Sequence, residues 1–98
     1  MNNKIYGMIG LAKRSGKLYI GYDAVKDNIS SKKMHLILVA EDASSKMKQQ
    51  ISELSLNHHI PIKFYGSKID LGHVLGRQEV SYIGITDVNM ADFMIKQL

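Results

Sequence analysis

Cysteine is absent from this 98-residue chain, and none of its apolar runs approaches the about 20 residues that a membrane-spanning helix requires. Without cysteine the chain can form neither a disulfide framework nor a thiolate metal site. The N-terminus does not read as a secretory signal, because basic residues and glycines interrupt the apolar core that such a signal needs. These residues are Lys4, Gly7, Gly10, Lys13 and Arg14. We therefore expect a cytoplasmic protein with no membrane association.

Internal repeats, low-complexity tracts and linkers are also absent. The hydrophobic fraction of 45% and the charged fraction of 22% are ordinary for a globular protein. A chain of this length buries roughly two-thirds of the surface that its unfolded form exposes, which is enough for a core. We therefore predict a single domain over residues 1–98.

Positive charge is concentrated in the first third of the chain. Residues 1–33 carry seven lysines and arginines against two aspartates, whereas residues 34–98 carry six basic against seven acidic side chains. Such asymmetry is typical of a protein with a polyanionic partner. From charge alone, the alternative that the lysines only keep a small domain soluble is equally good.

One apolar stretch organises the predicted fold. Leu36 to Ala40 are five apolar residues in a row, which is typical of a strand buried on both faces. Such a strand needs helices on both sides of its sheet. The polar residues that follow include Asp42, Ser44 and Ser45, any of which can cap the next helix.

Helices and strands alternate along the chain in the order α-β-α-β-α-β-α-β-α. Helical periodicity begins near residues 2, 21, 45, 67 and 87, and strand-like runs cover 18–20, 36–40, 60–65 and 80–85. Asn57 and Gly76 stand where helices end, and Ser67 with Asp70 forms a capping-box pattern. Thr86 or Asp87 is placed to cap the last helix. This alternation predicts an α/β fold with a mostly parallel or mixed sheet and helices on both faces.

Catalytic and metal chemistry find little support in the sequence. The stretch from Gly10 to Leu18 is not a nucleotide-binding P-loop, because five residues rather than four separate its glycines and leucine replaces the required hydroxyl. His58 and His59 are adjacent, so their side chains diverge, and no further ligand lies at metal-binding spacing. Glu41 and Asp42 fit helix caps better than an acid/base pair. We predict no enzyme, no metal and no cofactor.

Two junctions between loops and regular elements combine a glycine with polar side chains. The first is Gly21 to Lys26, in which Asp23 and Lys26 lie three residues apart and share one helix edge. They could face one ligand, the carboxylate accepting from a base N–H and the ammonium donating to a base carbonyl. The alternative is an ordinary ion pair on a solvated flank. The second junction is Gly76 to Val80.

These motifs together resemble the kink-turn-binding ribosomal-protein family of the L-seven-Ae and L-thirty-e type. The resemblance covers nearly the whole chain and keeps the order and spacing of four separated motifs. They are Leu38 to Ser44, Ile60-Pro61, Ser67-Lys68 with Leu71-Gly72 and Gly76, and an entry segment similar to the small bacterial YlxQ-like branch, Leu11-Ala12-x-Arg14-x-Gly16-Lys17. The resemblance implies a three-layer α-β-α sandwich around a four-stranded mixed sheet. It also implies RNA as the partner and no catalytic activity.

The resemblance also assigns roles to individual residues. Family members recognise the tandem G·A pairs of a kink-turn with a helix start of the form Gly-x-Asn/Lys-Glu/Gln-x-x-Lys. Lys26 matches its lysine, and Asp23 occupies the Glu/Gln position. Tyr22 replaces Asn or Lys, and Gly21 falls one residue closer than the pattern expects. A second element, an apolar-acidic-apolar triplet over flipped-out bases, corresponds to Gln78-Glu79-Val80, in which Gln78 is a departure.

The sequence therefore predicts a non-enzymatic RNA-binding protein that acts on ribosomal or kink-turn-like structured RNA. The predicted phosphate contacts are Lys13, Arg14, Lys17, Lys26, Lys32 and Arg77. The predicted base-reading residues are Tyr22, Asp23, Lys26 and the loop of Arg77, Gln78, Glu79 and Val80, and Gly21 completes the predicted RNA-binding set. The alternative is a protein-interaction module of the same fold that docks on a ribosomal or RNA-processing factor without reading RNA.

Overall fold

Five helices and four strands alternate as predicted in the computed structural model, which describes residues 3–30 and 33–98. The helices are α1 (Lys4–Arg14), α2 (Tyr22–Asn28), α3 (Ser45–Asn57), α4 (Lys68–Val74) and α5 (Val88–Gln97). The strands are β1 (Leu18–Ile20), β2 (Leu36–Val39), β3 (Ile62–Phe64) and β4 (Tyr82–Ile85). In the described part of the chain, no helix is long and apolar enough to cross a membrane.

The four strands form one mixed sheet in the order β1-β4-β2-β3. Strand β2 runs parallel to β3, whereas β4 runs antiparallel to both β1 and β2. The two inner strands, β2 and β4, are buried along their whole length. The mixed sheet is confirmed, but two of its three pairings are antiparallel, which the alternation of elements did not predict.

Helices cover both faces of this sheet, so the predicted three-layer α-β-α sandwich is confirmed. Alternate residues of β2 point to opposite faces, because side chains in a strand alternate. Leu36 and Leu38 join the core formed with α1, α4 and α5. Ile37 and Val39 join the second core, formed with α2 and α3. All four side chains are fully buried.

Side chains cap three of the helices at the predicted positions. Ser44, Ser67 and Asp87 each accept a hydrogen bond from the backbone N–H three residues later, at the start of α3, α4 and α5. Asp42 does not cap α3, which was one of the sequence alternatives. Its Oδ1 instead accepts from the Lys68 N–H at 2.9 Å, at the start of α4. Glu41 similarly accepts from the Gly66 N–H at 3.2 Å, so both carboxylates hold the connection between β3 and α4.

Three strands are shorter than the sequence predicted, and β2 differs least because it ends at Val39 rather than residue 40. Strand β3 begins at Ile62 rather than residue 60, and β4 begins at Tyr82 rather than Val80. The Val80 N–H donates to the Lys68 carbonyl at 2.9 Å, so this residue belongs to the loop over α4 and not to the sheet. The left-handed residue after α3 is His59, with φ of 57°, rather than Asn57.

Candidate functional site

The start of α2 and the loop before β4 meet in an open cavity of about 270 Å³, which we call the α2 cavity. Its lining includes Gly21, Tyr22, Arg77, Glu79 and Val80 from the predicted set, together with Met47 and Tyr82. The fold thus brings together two junctions that lie more than 50 residues apart in the sequence. Both junctions are positioned by glycines.

Gly21 sets the geometry at the start of α2. Its φ is 101° and its ψ 158°, a conformation that side-chain-bearing residues rarely adopt. The Gly21 N–H donates to the carbonyl of Tyr82 at 2.8 Å, which ties the start of the helix to the sheet. This arrangement fixes the backbone from which Tyr22 projects.

Tyr22 forms one wall of the α2 cavity. Its ring meets the ring of Tyr82 edge-on, with centroids 5.2 Å apart and an interplanar angle of 77°. Its hydroxyl donates to the Oε1 of Gln50 on α3 at 3.0 Å. Tyr22 is therefore held by contacts to the sheet and to α3.

The loop carrying Arg77 is fixed by the end of α4. Gly76 has φ of 70°, its N–H donates to the His73 carbonyl at 3.2 Å, and the Arg77 N–H donates to the Gly72 carbonyl at 2.8 Å. This pair of bonds is a Schellman motif with the predicted glycine at its left-handed position. Gly72 lets the loop approach closely, because a Cβ there would lie 2.8 Å from the Gln78 carbonyl oxygen.

The remaining loop residues differ in what they present to the cavity. Val80 is 4% exposed and packs in the core, so it contributes to the cavity's floor rather than a free apolar cover. The Glu79 carboxylate lies 3.9 Å from the Lys68 ammonium, a partly exposed pair of small energetic value. Gln78 is exposed and is not among the residues that line the cavity.

Asp23 and Lys26 are not brought to the α2 cavity. Both are exposed, and the structure describes both without an ion pair between them within 4.0 Å. Lys26 lines a separate groove between α2 and α3, which also contains Glu53 and Asn57. Tyr22 lines both the cavity and this groove. The two residues predicted to face one ligand therefore do not line the cavity.

The basic turn after α1 distributes its three charges in different directions. The Lys13 ammonium donates to the Leu75 carbonyl at 2.6 Å, where it satisfies an unpaired carbonyl at the end of α4. Arg14 folds back along its helix, so a Cβ at Gly10 would lie 3.4 Å from its Nη1. Lys17 lines a different cavity, near the start of β1. The predicted contact Lys32 lies outside the described residues.

Met47, Gln50 and Tyr82 are residues of the site that sequence reasoning missed. Met47 lines the α2 cavity, although its helical spacing with Ile51 and Leu54 is typical of a core position. Tyr82 is 3% exposed, and its hydroxyl has no hydrogen-bond partner among the described residues. Burial raises the pKa of this hydroxyl above its ordinary value, and the nearby Tyr22 hydroxyl adds to the rise. A polar aromatic residue in the run before Ile83 was the available signal.

Comparison with known proteins agrees with this arrangement. Residues 3–95 match the model of the ribosomal protein L7Ae/L30e/S12e/Gadd45 family. The chain belongs to this family. The resemblance noted from the sequence is thereby confirmed, and membership places the chain among ribosomal-type proteins rather than enzymes.

The relatives of this chain include two proteins of the bacterial branch that the sequence resembles and one ribosomal protein. The chain is 29% identical to the RNA-binding protein YlxQ of Bacillus subtilis, over 95% of this chain and 93% of that protein. It is 30% identical to the RNA-binding protein YlxQ of Enterococcus faecium, over 90% and 84%. It is also 31% identical to the large ribosomal subunit protein eL30 of Dictyostelium discoideum, over 88% and 79%.

A solved structure shares the fold of this family member. The structure of a protein with unknown function from Bacillus halodurans superposes with a TM-score of 0.92 at 24% identity, covering 97% of this chain and 96% of the other. At that identity the likeness concerns the fold alone.

Proposed function

We propose that residues 1–98 form a cytoplasmic, non-enzymatic domain that binds structured RNA at the α2 cavity. The observation that carries this proposal is the meeting of the Gly21–Tyr22 helix start with the Arg77–Val80 loop around one cavity. The names of the YlxQ relatives, which describe RNA-binding proteins, support the same conclusion. The excess positive charge of residues 1–33 adds electrostatic attraction to phosphates.

The residues around the cavity suit an unstacked base and its backbone. Tyr22 and Met47 provide apolar surface against which a base can stack, and such stacking contributes about 1–3 kcal/mol per base. Arg77 is exposed at the rim, and its guanidinium offers several donors to phosphate or to a base edge. The Glu79 carboxylate can accept from a base N–H, because its partner Lys68 lies only at the limit of an ion pair.

Within this function, we propose a kink-turn-like RNA as the target class. The sequence resemblance assigns Lys26 and Asp23 to the helix start that reads such RNA. Both are solvent-exposed, and Lys26 lines the groove that shares Tyr22 with the cavity. Tyr22 cannot reproduce the polar contact of the usual Asn or Lys while its hydroxyl is bonded to Gln50. We propose that stacking on the Tyr22 ring replaces that contact.

A pair of tyrosine variants tests the base-binding role. Tyr22→Ala removes the stacking surface, and we expect it to weaken binding of a kink-turn RNA by about 1–3 kcal/mol. Tyr22→Phe keeps the ring and loses only the hydrogen bond to Gln50, so it should bind nearly as wild type. Calorimetric titration with the kink-turn RNA and with a straight duplex of equal length measures both effects. Equal losses for the two RNAs would contradict base reading at Tyr22.

Asp23 separates specific reading from general attraction. An aspartate repels phosphates, so in an RNA interface its carboxylate must act by accepting hydrogen bonds from base N–H groups. Asp23→Ala should weaken the kink-turn RNA by about 1–3 kcal/mol and leave non-specific RNA unchanged or slightly tighter. Asp23→Glu should keep or improve kink-turn binding. If Asp23→Ala strengthens binding of every RNA alike, the carboxylate reads no base.

The same titrations address the protein-interaction alternative. If wild-type protein bound neither RNA, or bound with no dependence on salt concentration, RNA would not be the ligand of this face. Docking on a ribosomal or RNA-processing protein would then be the better explanation of the fold.

A further inference from the structure

A second cavity lies at the opposite end of the β1–β4 ladder from the α2 cavity. It has a volume of about 480 Å³, and its lining includes Lys17, Tyr19, Lys33 and Thr86. We call it the lysine cavity. Gly21 is paired with Tyr82 at one end of the ladder, and the Thr86 N–H donates to the Lys17 carbonyl at 3.0 Å at the other end.

We propose that the lysine cavity binds phosphates of a second segment of the RNA that occupies the α2 cavity. The proposal rests on the proposed function and adds to it a separate site. Lys17 and Gly21 are four residues apart along an extended strand, or about 13 Å at roughly 3.3 Å per residue. An RNA with two stems, or one continuing strand, is long enough to reach both ends.

The lining of the lysine cavity suits a phosphate. Two ammonium groups and two hydroxyl groups come from its lining residues, and no carboxylate is among the described residues that line it. Asp87 follows Thr86, but its Oδ1 accepts from the Met90 N–H at 2.9 Å and caps α5. The positive end of the α5 dipole offsets that charge.

Lys17 is held in place by its backbone on two sides. Gly16 has φ of 68°, its N–H donates to the Lys13 carbonyl at 3.1 Å, and the Lys17 N–H donates to the Ala12 carbonyl at 2.8 Å. These bonds form a Schellman motif at the end of α1. The Lys17 carbonyl also accepts from Thr86, so β4 fixes the same residue. A lysine with a fixed backbone loses less entropy on binding a phosphate than one on a free loop.

The variant Lys17→Gln with Lys33→Gln removes both charges and keeps side-chain length. The matched control is Lys4→Gln with Lys63→Gln, which removes two lysines from α1 and from β3 at the far edge of the sheet. Thermal melting of both variants verifies that they fold. The ligand is a kink-turn RNA whose stems extend at least ten base pairs on each side, titrated at salt concentrations from 50 to 200 mM.

Loss of two phosphate contacts should flatten the slope of log K against log salt by about 1.4–1.8. Between 50 and 200 mM salt, wild-type affinity should therefore fall about 7- to 12-fold more than that of the lysine-cavity variant. RNA should also shift the amide resonances of Lys17, Tyr19 and Thr86 in the wild type. The control variant should change the slope less than the lysine-cavity variant does.

Three outcomes would overturn the proposal. An unchanged slope in the lysine-cavity variant would mean that no phosphate binds in the lysine cavity. The proposed function would still stand in that case if Tyr22→Ala weakened RNA binding at the α2 cavity. If a polyglutamate peptide shifted the Lys17 and Thr86 resonances and RNA did not, the cavity would bind an acidic protein segment. If wild-type protein bound no RNA, the proposed function itself would fail, and this inference with it.

Discussion

The two ends of the β1–β4 ladder use the same backbone motif to present different chemistry. Lys17 and Arg77 both follow a left-handed glycine in a Schellman motif at the end of a helix. Arg77 lines its cavity with tyrosine rings and a carboxylate. Lys17 lines its cavity with a second lysine, and no carboxylate is among the described residues there. The motif fixes the backbone of the basic residue, and the neighbouring side chains determine which ligand the cavity can bind. The α2 cavity therefore suits a base, and the lysine cavity suits a phosphate.

The largest expected effect comes from breaking the scaffold that both ends share. Val39→Asp places an unpaired carboxylate in the core beneath α2 and α3, where Val39 is fully buried. Desolvation of that charge costs several kcal/mol, against a total stability of roughly 5–10 kcal/mol. We expect the variant to be largely unfolded by circular dichroism at 25 °C. Leu56→Asp is the control, because Leu56 is 76% exposed, and a similar loss there would contradict the sandwich.

This central strand is also the part of the fold that the sequence predicts best. An apolar run from Leu36 to Ala40 has few explanations other than a strand covered on both faces, so the layers followed from it. Local caps such as Ser67 and the glycine at Gly76 were predictable for a similar reason, since their partners lie within a few residues. The direction of each strand was not predictable in this way, because it depends on which strands pair in the sheet.

The candidate site was predictable only in part, because its contacts are long-range. Glycines marked both junctions in the sequence, but nothing local indicated that Tyr22 would bond to Gln50, 28 residues away. Lys13 was predicted as a phosphate contact with its neighbours, and its bond to Leu75 spans 62 residues. Asp42 likewise caps a helix that begins 26 residues later. Spacing within one segment carries no information about such pairs.

A second prediction disturbs the α2 cavity and leaves the lysine cavity unchanged. A Cβ at position 72 would lie 2.8–2.9 Å from backbone atoms of Arg77 and Gln78, so Gly72→Ala must displace the loop. We expect a loss of about 1–3 kcal/mol in stability, typical of overpacking. We also expect weaker binding of kink-turn RNA, while RNA still shifts the Lys17 amide resonance. Chemical denaturation and nuclear magnetic resonance measure the two effects.

Gly7→Ala is the matched control for this change. A Cβ at Gly7 has no heavy atom within 4 Å, and the residue lies inside α1. Alanine should therefore stabilise the protein by about 0.5–1 kcal/mol. Equal stabilities and equal RNA affinities of the two variants would mean that the loop does not pack closely against Gly72.

A third prediction concerns the buried hydroxyl beside the α2 cavity. Tyr82→Phe removes a hydroxyl that has no hydrogen-bond partner among residues 3–30 and 33–98, so stability should rise by about 1 kcal/mol. If the hydroxyl also contacts RNA in the complex, the variant should lose RNA affinity as well as gain stability. If it does not, RNA affinity should be unchanged. Thermal melting and RNA titration of the same preparation distinguish these roles. A loss of stability would mean that the hydroxyl is satisfied.

The Tyr82→Phe variant should also differ from wild type in how stability depends on pH under alkaline conditions. The pKa of Tyr82 is raised in the folded state above the unfolded value of about 10, so the unfolded chain releases this proton first. The stability that this difference contributes is complete below pH 10 and is lost as pH rises through the folded pKa. Wild type should therefore lose stability above pH 10 more steeply than Tyr82→Phe. Parallel curves would show that Tyr82 ionises normally.

The smallest expected effect separates Lys13 from Lys17, two basic residues that are four positions apart. The Lys13 ammonium satisfies the Leu75 carbonyl at the end of α4, next to Gly76 and the loop that carries Arg77. Lys13→Met keeps the aliphatic stem and removes this bond, so we expect a loss of about 0.5–1.5 kcal/mol in stability. Lys17→Met should leave stability within about 0.5 kcal/mol, because Lys17 is exposed and its fixed contacts are all from its backbone.

In RNA titrations the order of the two variants should reverse, with Lys17→Met flattening the salt dependence more than Lys13→Met does. If Lys13→Met lost no stability and flattened the salt dependence as much as Lys17→Met, both lysines would act as phosphate contacts. The two ends of the ladder would then form one continuous electrostatic surface.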